Sequence, residues 1–226
     1  VVLENPVPPP RSADELLERA RMLAGRTLGT VAIELGMTAP PHLRGHKGWV
    51  GHLMERALGA TAKSKDAPDF EALGIELKTL PVSRAGKPLE TTFVCTIPLD
   101  EVGETPWEDS RVMRKLTHVL WVPVEGERAI SVPRRRIGSA ILWRPDEDEI
   151  TALRHDWEEL AGIIGRGDIE TISGRLGRFL QVRPKAANAS VRTRAIDAEG
   201  DLTLTLPRGF YLRTQFTERI LHAAFG

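Results

Sequence analysis

The chain has 226 residues, 41% of them hydrophobic, with 31 lysines and arginines against 31 aspartates and glutamates. That length and apolar fraction support one large domain or two small lobes, and no apolar run approaches the roughly 18 residues of a membrane span. A formal charge of zero argues mildly against a uniformly basic nucleic-acid binder, and the single cysteine, Cys95, excludes an internal disulfide and a Cys-rich zinc site.

In chain order, residues 1–11 are Pro-rich, with Pro8, Pro9 and Pro10 in a row, and read as a flexible arm ahead of one domain over 12–226. The opening Val1-Val2-Leu3-Glu4-Asn5-Pro6 has neither a basic n-region nor an apolar h-region, so no signal peptide is expected and a cytoplasmic location fits. Ser12 and Glu15 form a Ser-x-x-Glu capping signature for a helix with Leu16, Leu17, Ala20 and Leu23 inward, ending at Gly25. Leu28, Val31, Ala32 and Leu35 predict a second helix, and the stripe from Trp49 to Leu58 a third. The pattern then turns to strands over Gly74–Leu80 and Thr91–Ile97, read as a hairpin about the Arg84–Pro88 turn. A second hairpin is predicted from Val119–Val124 and Ala129–Val132. Asp146 starts a long helix through Leu153, Trp157, Leu160 and Ile164. Phe179–Val182 and Leu202–Leu206 read as strands, and Phe216–Phe225 as a closing helix. Strands in the middle with helices at both ends predict a mixed α/β fold.

Charge is segregated along the chain. Between Pro41 and Lys65 stand Arg44, Lys47, Arg56, Lys63 and Lys65 against Glu55 alone; between Arg175 and Arg194 stand basic residues and no acid. Acids gather instead at Asp146–Glu149 and Asp156–Glu159. A neutral chain so divided can present a positive surface to phosphates.

The residues that carry chemistry are Asp69, Glu76 and Lys78. Glu76 and Lys78 are two apart on a predicted strand, so both leave the same face while Ile75 and Leu77 turn into apolar packing. Asp69, at the end of the preceding loop, can reach the same spot. Two carboxylates beside an ammonium suit a hard cation such as Mg²⁺, with the Leu77 carbonyl as a further ligand. Lys78 could then orient a water or neutralise charge at phosphorus. The bare Asp-x(n)-Glu-x-Lys pattern is weak, since an exposed strand face with an incidental ion pair would look the same. The six histidines form no ligand pattern. No Gly-x-Ser-x-Gly elbow or Gly-x4-Gly-Lys-Ser/Thr loop is present.

The words around the triad are more specific. Asp69-Phe-Glu-Ala-Leu-Gly-Ile-Glu-Leu-Lys-Thr-Leu-Pro-Val, Gly86-Lys-Pro-Leu-Glu-Thr-Thr-Phe-Val-Cys, Lys47-Gly-Trp-Val-Gly, Leu120-Trp-Val-Pro-Val-Glu-Gly-Glu-Arg, Leu180-Gln-Val-Arg-Pro-Lys and Thr205-Leu-Pro-Arg-Gly-Phe-Tyr-Leu closely resemble the MutH family of methyl-directed mismatch-repair endonucleases. The resemblance covers nearly the whole chain after the Pro-rich arm and is looser at Phe225-Gly226. It implies a restriction-endonuclease-like fold: a mixed β-sheet core flanked by helices, in two sub-lobes around a DNA-binding cleft. It implies nicking of the unmethylated strand 5′ to guanine at hemimethylated or unmethylated GATC sites in double-stranded DNA, by a monomer. The implied activator is MutL-like, with a MutS-like mismatch sensor upstream and no membrane partner. The implied cofactor is Mg²⁺, with Mn²⁺ also supporting activity and Ca²⁺ binding without cleavage.

By the same resemblance Asp69 and Glu76 are metal ligands, Lys78 the catalytic lysine, and Glu55 and Lys115 supporting active-site residues. Without the family, Glu55 would read as a solvated helix residue and Lys115 as an exposed base near a helix end. Arg183, Pro184 and Lys185 would lie on a DNA-reading loop, with Arg183 evenly balanced between a guanine edge and a phosphate. Lys47 and Phe93 lie in matching segments, although strand periodicity favours Phe93 as core. Tyr211, the only tyrosine, matches a residue beside the adenine whose methylation is sensed; without the family it reads as a strand-end residue. Arg134-Arg135-Arg136 reads as solvated. Two other readings compete: a GATC-binding module without cleavage, and a GATC restriction enzyme making double-strand cuts.

Overall fold

The computed structural model describes residues 7–62, 66–185 and 190–226. Among these, the helices are α1 (Ala13–Leu23), α2 (Leu28–Glu34), α3 (Trp49–Leu58), α4 (Arg111–Leu116), α5 (Glu147–Gly165) and α6 (Thr214–Phe225). The strands are β1 (Glu76–Val82), β2 (Thr92–Thr96), β3 (Val119–Glu125), β4 (Ile141–Trp143), β5 (Leu180–Pro184), β6 (Thr193–Ile196), β7 (Leu202–Thr205) and β8 (Arg208–Leu212). The fold is mixed α/β, as the sequence pattern predicts. No helix among the described residues is long and apolar enough to cross a membrane.

The chain divides into two compact units. The first comprises Val1–Glu90, His118–Arg144 and Ile220–Gly226; the second comprises Thr91–Thr117 and Pro145–Arg219.

In the first unit the predicted helices form where the caps demand. Ser12 accepts the Glu15 N–H at 3.1 Å and starts α1, while the Glu15 carboxylate takes the Arg11 N–H at 2.9 Å instead of closing the box on Ser12. Thr27 caps α2 in the same way, and Gly59 ends α3 in the left-handed conformation. The end of the Pro-rich stretch packs down: Pro10 is buried and the Pro8 carbonyl accepts from Arg19 at 2.5 Å. Leu16, Leu28, Leu53, Met54 and Leu58 from the helices meet Ile75, Leu77, Leu120 and Val122 from the sheet. The sheet runs β1-β3-β4, with β1 parallel to β3 and β3 antiparallel to β4. The six residues Val119–Val124 are all buried, as expected of a central strand covered on both faces.

Both predicted hairpins are corrected here. The turn after β1 exists, but β1 pairs with β3 and β2 goes to another sheet, because the turn residues fix a reversal and not a partner. Ala129–Val132 is no strand; Val132–Arg134 is a short 3₁₀ turn with Pro133 in it, and β3 takes β4 as its antiparallel neighbour. The Arg134–Arg136 run is not simply solvated. Arg135 donates to the Ile130 and Glu127 carbonyls and Arg136 to the Gly25 carbonyl.

In the second unit, β2-β8-β5 form an antiparallel sheet, and β6-β7 form a separate ribbon. Asp146 and Glu149 make a reciprocal capping box at the start of α5, which packs on β5 with Leu153, Trp157, Leu160 and Ile164 buried. Register sets the faces. Phe210 and Leu212 of β8 are buried and stand opposite Val182 and Leu180, so Gly209 and Tyr211 share the other face with Arg183 and Gln181.

Candidate functional site

Two constellations emerge, one in each unit. In the first, residues 71–73 make a single 3₁₀ turn closed by Gly74 at φ +63°, a conformation glycine adopts without strain. Phe70 and Ile75 then bridge, with Phe70 N–H to Ile75 O at 2.9 Å. This narrow reversal is why a gap of seven residues works: it lays Asp69 against β1. Asp69 Oδ2 accepts the Leu77 N–H at 2.8 Å. One residue to either side, Lys78 Nζ donates to Glu76 Oε1 at 2.6 Å. The structure therefore brings Asp69, Glu76, Leu77 and Lys78 together, with Glu76 and Lys78 on one face as the strand period requires.

The corner is largely buried and crowded with carboxylates. Glu76 is 4% exposed, and the Asp69 carboxyl is pushed up to about 6. Burial is the main cause, followed by the Glu76 charge, with Glu55 adding to it; the Leu77 N–H and Lys78 act in the opposite sense. Leu77 donates to Asp69 and not to β3, so its peptide lies on the open edge of the sheet and its carbonyl faces the same side. Among the described residues no three His, Cys, Asp or Glu side chains draw close enough to form a metal group by themselves. Two carboxylates and a backbone carbonyl nonetheless suit Mg²⁺, which typically uses one or two protein carboxylates and keeps water or phosphate for the rest. The observation in favour is geometric: Asp69 and Glu76 converge on the Leu77 peptide, close enough that the Glu76 charge adds to burial in raising the Asp69 carboxyl.

Glu55 projects from α3 towards the same corner. With Asp69, His52 and Glu34 it lines a cavity of about 310 Å³, and His52 Nδ1 lies 3.6 Å from Glu55. Lys47 is exposed in the turn before α3. Lys63 and Lys65, from the basic stretch read in the sequence, lie outside the described residues.

In the second unit, Lys115 sits on α4 and is 5% exposed. The reading of it as an ordinary exposed base is thus overturned, for burying a lysine is costly without a partner. Arg183 and Pro184 are the last two residues of β5, and Lys185 follows at once, so the first two belong to a strand end and not to a loop. Arg183 Nη1 donates to Thr91 Oγ1 at 2.7 Å, and its guanidinium lies 5.7 Å from the centre of the Tyr211 ring. Tyr211 meets Phe93 edge-on at 5.3 Å, and Lys185 Nζ stands 3.5 Å over the Phe93 ring. Burial pushes the Tyr211 hydroxyl up, with Arg183 opposing it. Arg183, Lys185, Tyr211 and Phe93 therefore share one basic, aromatic face of the sheet.

Phe93 is half-buried on that face and is not core. The periodicity misled because the register of β2 against β8 shifts between Phe93 and Cys95. Thr91, which holds Arg183, gave no sequence signal of its own.

A family profile described as DNA mismatch repair enzyme MutH matches residues 58–156. DNA mismatch repair protein MutH of Shewanella sp. (strain W3-18-1) is 54% identical over 218 residues, covering 96% of this chain and 98% of that protein. The protein of the same name from Shewanella amazonensis (strain ATCC BAA-1098 / SB2B) is 54% identical over 217 residues, 96% of this chain and 97% of its own. That from Shewanella baltica (strain OS185) is 51% identical over 222 residues, 98% and 100% respectively.

Proposed function

The chain belongs to the MutH family of DNA mismatch repair enzymes, and on that premise we propose that it is a Mg²⁺-dependent endonuclease nicking the unmethylated strand 5′ to guanine at hemimethylated or unmethylated GATC sites. The observation that carries this reading is the convergence of Asp69, Glu76 and Lys78 about the Leu77 peptide. A module that only binds DNA has no use for buried carboxylates at the phosphate, since they would repel it. Asp69, Glu76 and the Leu77 carbonyl would hold the cation. When bound, it offsets their charge and that of the scissile phosphate, and it acidifies water. Mn²⁺ substitutes for Mg²⁺, while Ca²⁺ binds without supporting cleavage.

The chain's own groups do the rest. Lys78, held by Glu76, presents an ammonium that orients the attacking water and stabilises charge building on the phosphate oxygens. Glu55 and Lys115 support the active site. The basic, aromatic face bearing Arg183, Lys185 and Tyr211 contacts DNA, with Pro184 fixing the backbone between the two cations. Lys47 of the first unit is a further DNA contact. Arg183 reads guanine and Tyr211 senses the adenine methyl group. The protein works as a cytoplasmic monomer, one endonuclease domain behind an N-terminal arm, activated by a MutL-like protein downstream of a MutS-like sensor.

The test is a plasmid carrying one hemimethylated GATC site, with Mg²⁺ and the activator supplied. The expected product is an open circle nicked in the unmethylated strand. Tight binding with no nick would favour the binding module, and linear plasmid from an unmethylated site would favour a restriction enzyme.

A further inference from the structure

The loop entering β5 makes two hydrogen bonds of its own, both onto Ser173, and from Gly177 onward its backbone is held from outside. Asp156 of α5, which stands in the acidic stretch Asp156–Glu159, is 2% exposed. Its two carboxylate oxygens accept three consecutive N–H groups: Arg178 at 2.7 Å, Phe179 at 2.6 Å and Leu180 at 2.8 Å. From the other side, the Arg213 guanidinium donates to the carbonyls of Gly174 at 2.7 Å, Leu176 at 2.8 Å and Gly177 at 3.0 Å. The Arg213 N–H takes the Phe179 carbonyl at 2.8 Å, and the Gln215 side chain donates to that of Arg178. Gly177, at φ +75°, leaves no room for a side chain beside Leu180 O.

An anion therefore grips the N–H groups of this loop while a cation grips its carbonyls. Charge-assisted hydrogen bonds of this kind are stronger than neutral ones, and the fork of an arginine spans several acceptors where a lysine reaches one. The location matters. Leu180 is the first residue of β5, an edge strand paired only with β8, and an edge strand has one neighbour to fix its register. A slip of one residue would turn Arg183 to the face opposite Tyr211. Arg213 stands two residues beyond Tyr211 in the chain, so one clamp ties the base of β5 to the end of β8.

We propose that Asp156 and Arg213 are positioning residues for DNA recognition: they hold β5 in the register that keeps Arg183 and Tyr211 on one face. This rests on the reading that this face recognises GATC. Phosphate contacts position a duplex without reading it, so the clamp should govern sequence preference more than overall affinity.

The experiment measures affinity, in Ca²⁺ and below the melting temperature of each protein, for a GATC duplex and for one of equal length with the site permuted. Asp156→Asn and Arg213→Lys are each expected to lower the ratio about tenfold, within the range of one misread base pair, while affinity for the permuted duplex changes less than about twofold. A merely structural role would lower the melting temperature and leave the ratio of the folded protein intact, and that result would overturn the proposal. Absence of GATC preference in the unsubstituted protein would instead sink the underlying reading and the clamp with it. Hydrogen exchange on the unsubstituted protein decides the matter even where a variant does not fold. The amides of Arg178, Phe179 and Leu180 are expected to exchange as slowly as those of β8, and exchange at the rate of an unprotected loop would refute the clamp.

Discussion

The two constellations, one in each unit, handle charge in opposite ways. In the first, carboxylates are drawn out of water and crowded until Asp69 is pushed up to about 6, with Lys78 as the counter-charge bonded to Glu76. In the second, cations stand in the open, Arg183 and Lys185 resting on the rims and faces of Tyr211 and Phe93. The first arrangement suits a small cation, and the second suits an anionic surface with flat, stackable groups. On the proposed reading, chemistry and recognition fall to sites of contrary electrostatic character.

Substitutions can break that contrast. Glu76→Ala should have the largest effect, a fall in nicking rate of at least about a thousandfold, because it removes a cation ligand and the partner of Lys78. Duplex affinity should hold or improve, since a negative charge is lost near phosphate; normal cutting in a gel assay would undo the assignment. Lys78→Ala should cost about 10²–10³ in rate while Ca²⁺ affinity measured by calorimetry persists, separating the ammonium's role from the ligands'. In the second unit, Arg183→Ala should cost about 1–3 kcal/mol of discrimination between GATC and a permuted duplex, with little change in single-turnover rate on saturating DNA.

The smallest effect concerns pH. Asp69 is raised chiefly by burial and then by Glu76, so the folded, metal-free protein keeps a proton that the unfolded chain has released. Between roughly pH 4 and about 6 the folded state binds more protons, and stability must fall as pH rises through that window and level off above it. Asp69→Asn keeps an acceptor for Leu77 and carries no charge. It should flatten the curve and gain about 1–2 kcal/mol above pH 6, read from urea denaturation at several pH values without divalent cations.

How much of this was legible in the sequence follows the range of the interactions. The helices α1, α2, α3 and α5 were readable almost to the residue, because cap and stripe lie within a few turns of each other. Strand pairing was not, since β1 finds β3 across forty residues of chain and no local pattern names a partner. The short strands β4 and β6 went unread because three or four residues are too few to show a period, and β8 and α4 were sensed only as a strand end at Tyr211 and a helix end at Lys115. The Asp69–Lys78 corner was legible because one tight turn and one strand build it. The basic, aromatic face was legible only by family resemblance, for it joins Phe93, Arg183 and Tyr211 through the register of three strands. Asp156 carried no signal of its role in the sequence, where it is one acid among several, and only the loop at 178–180 explains its burial.

The open side of β1 carries one more consequence. Leu77 gives its N–H to Asp69, Pro81 has none to give, and the Pro81 carbonyl is taken by Leu89 at 2.9 Å. Part of this margin is thus occupied against addition of a foreign strand, at one point by a side chain proposed for catalysis. Asp69→Ala would expose more of it, and that variant should self-associate in light scattering where Asp69→Asn stays dispersed.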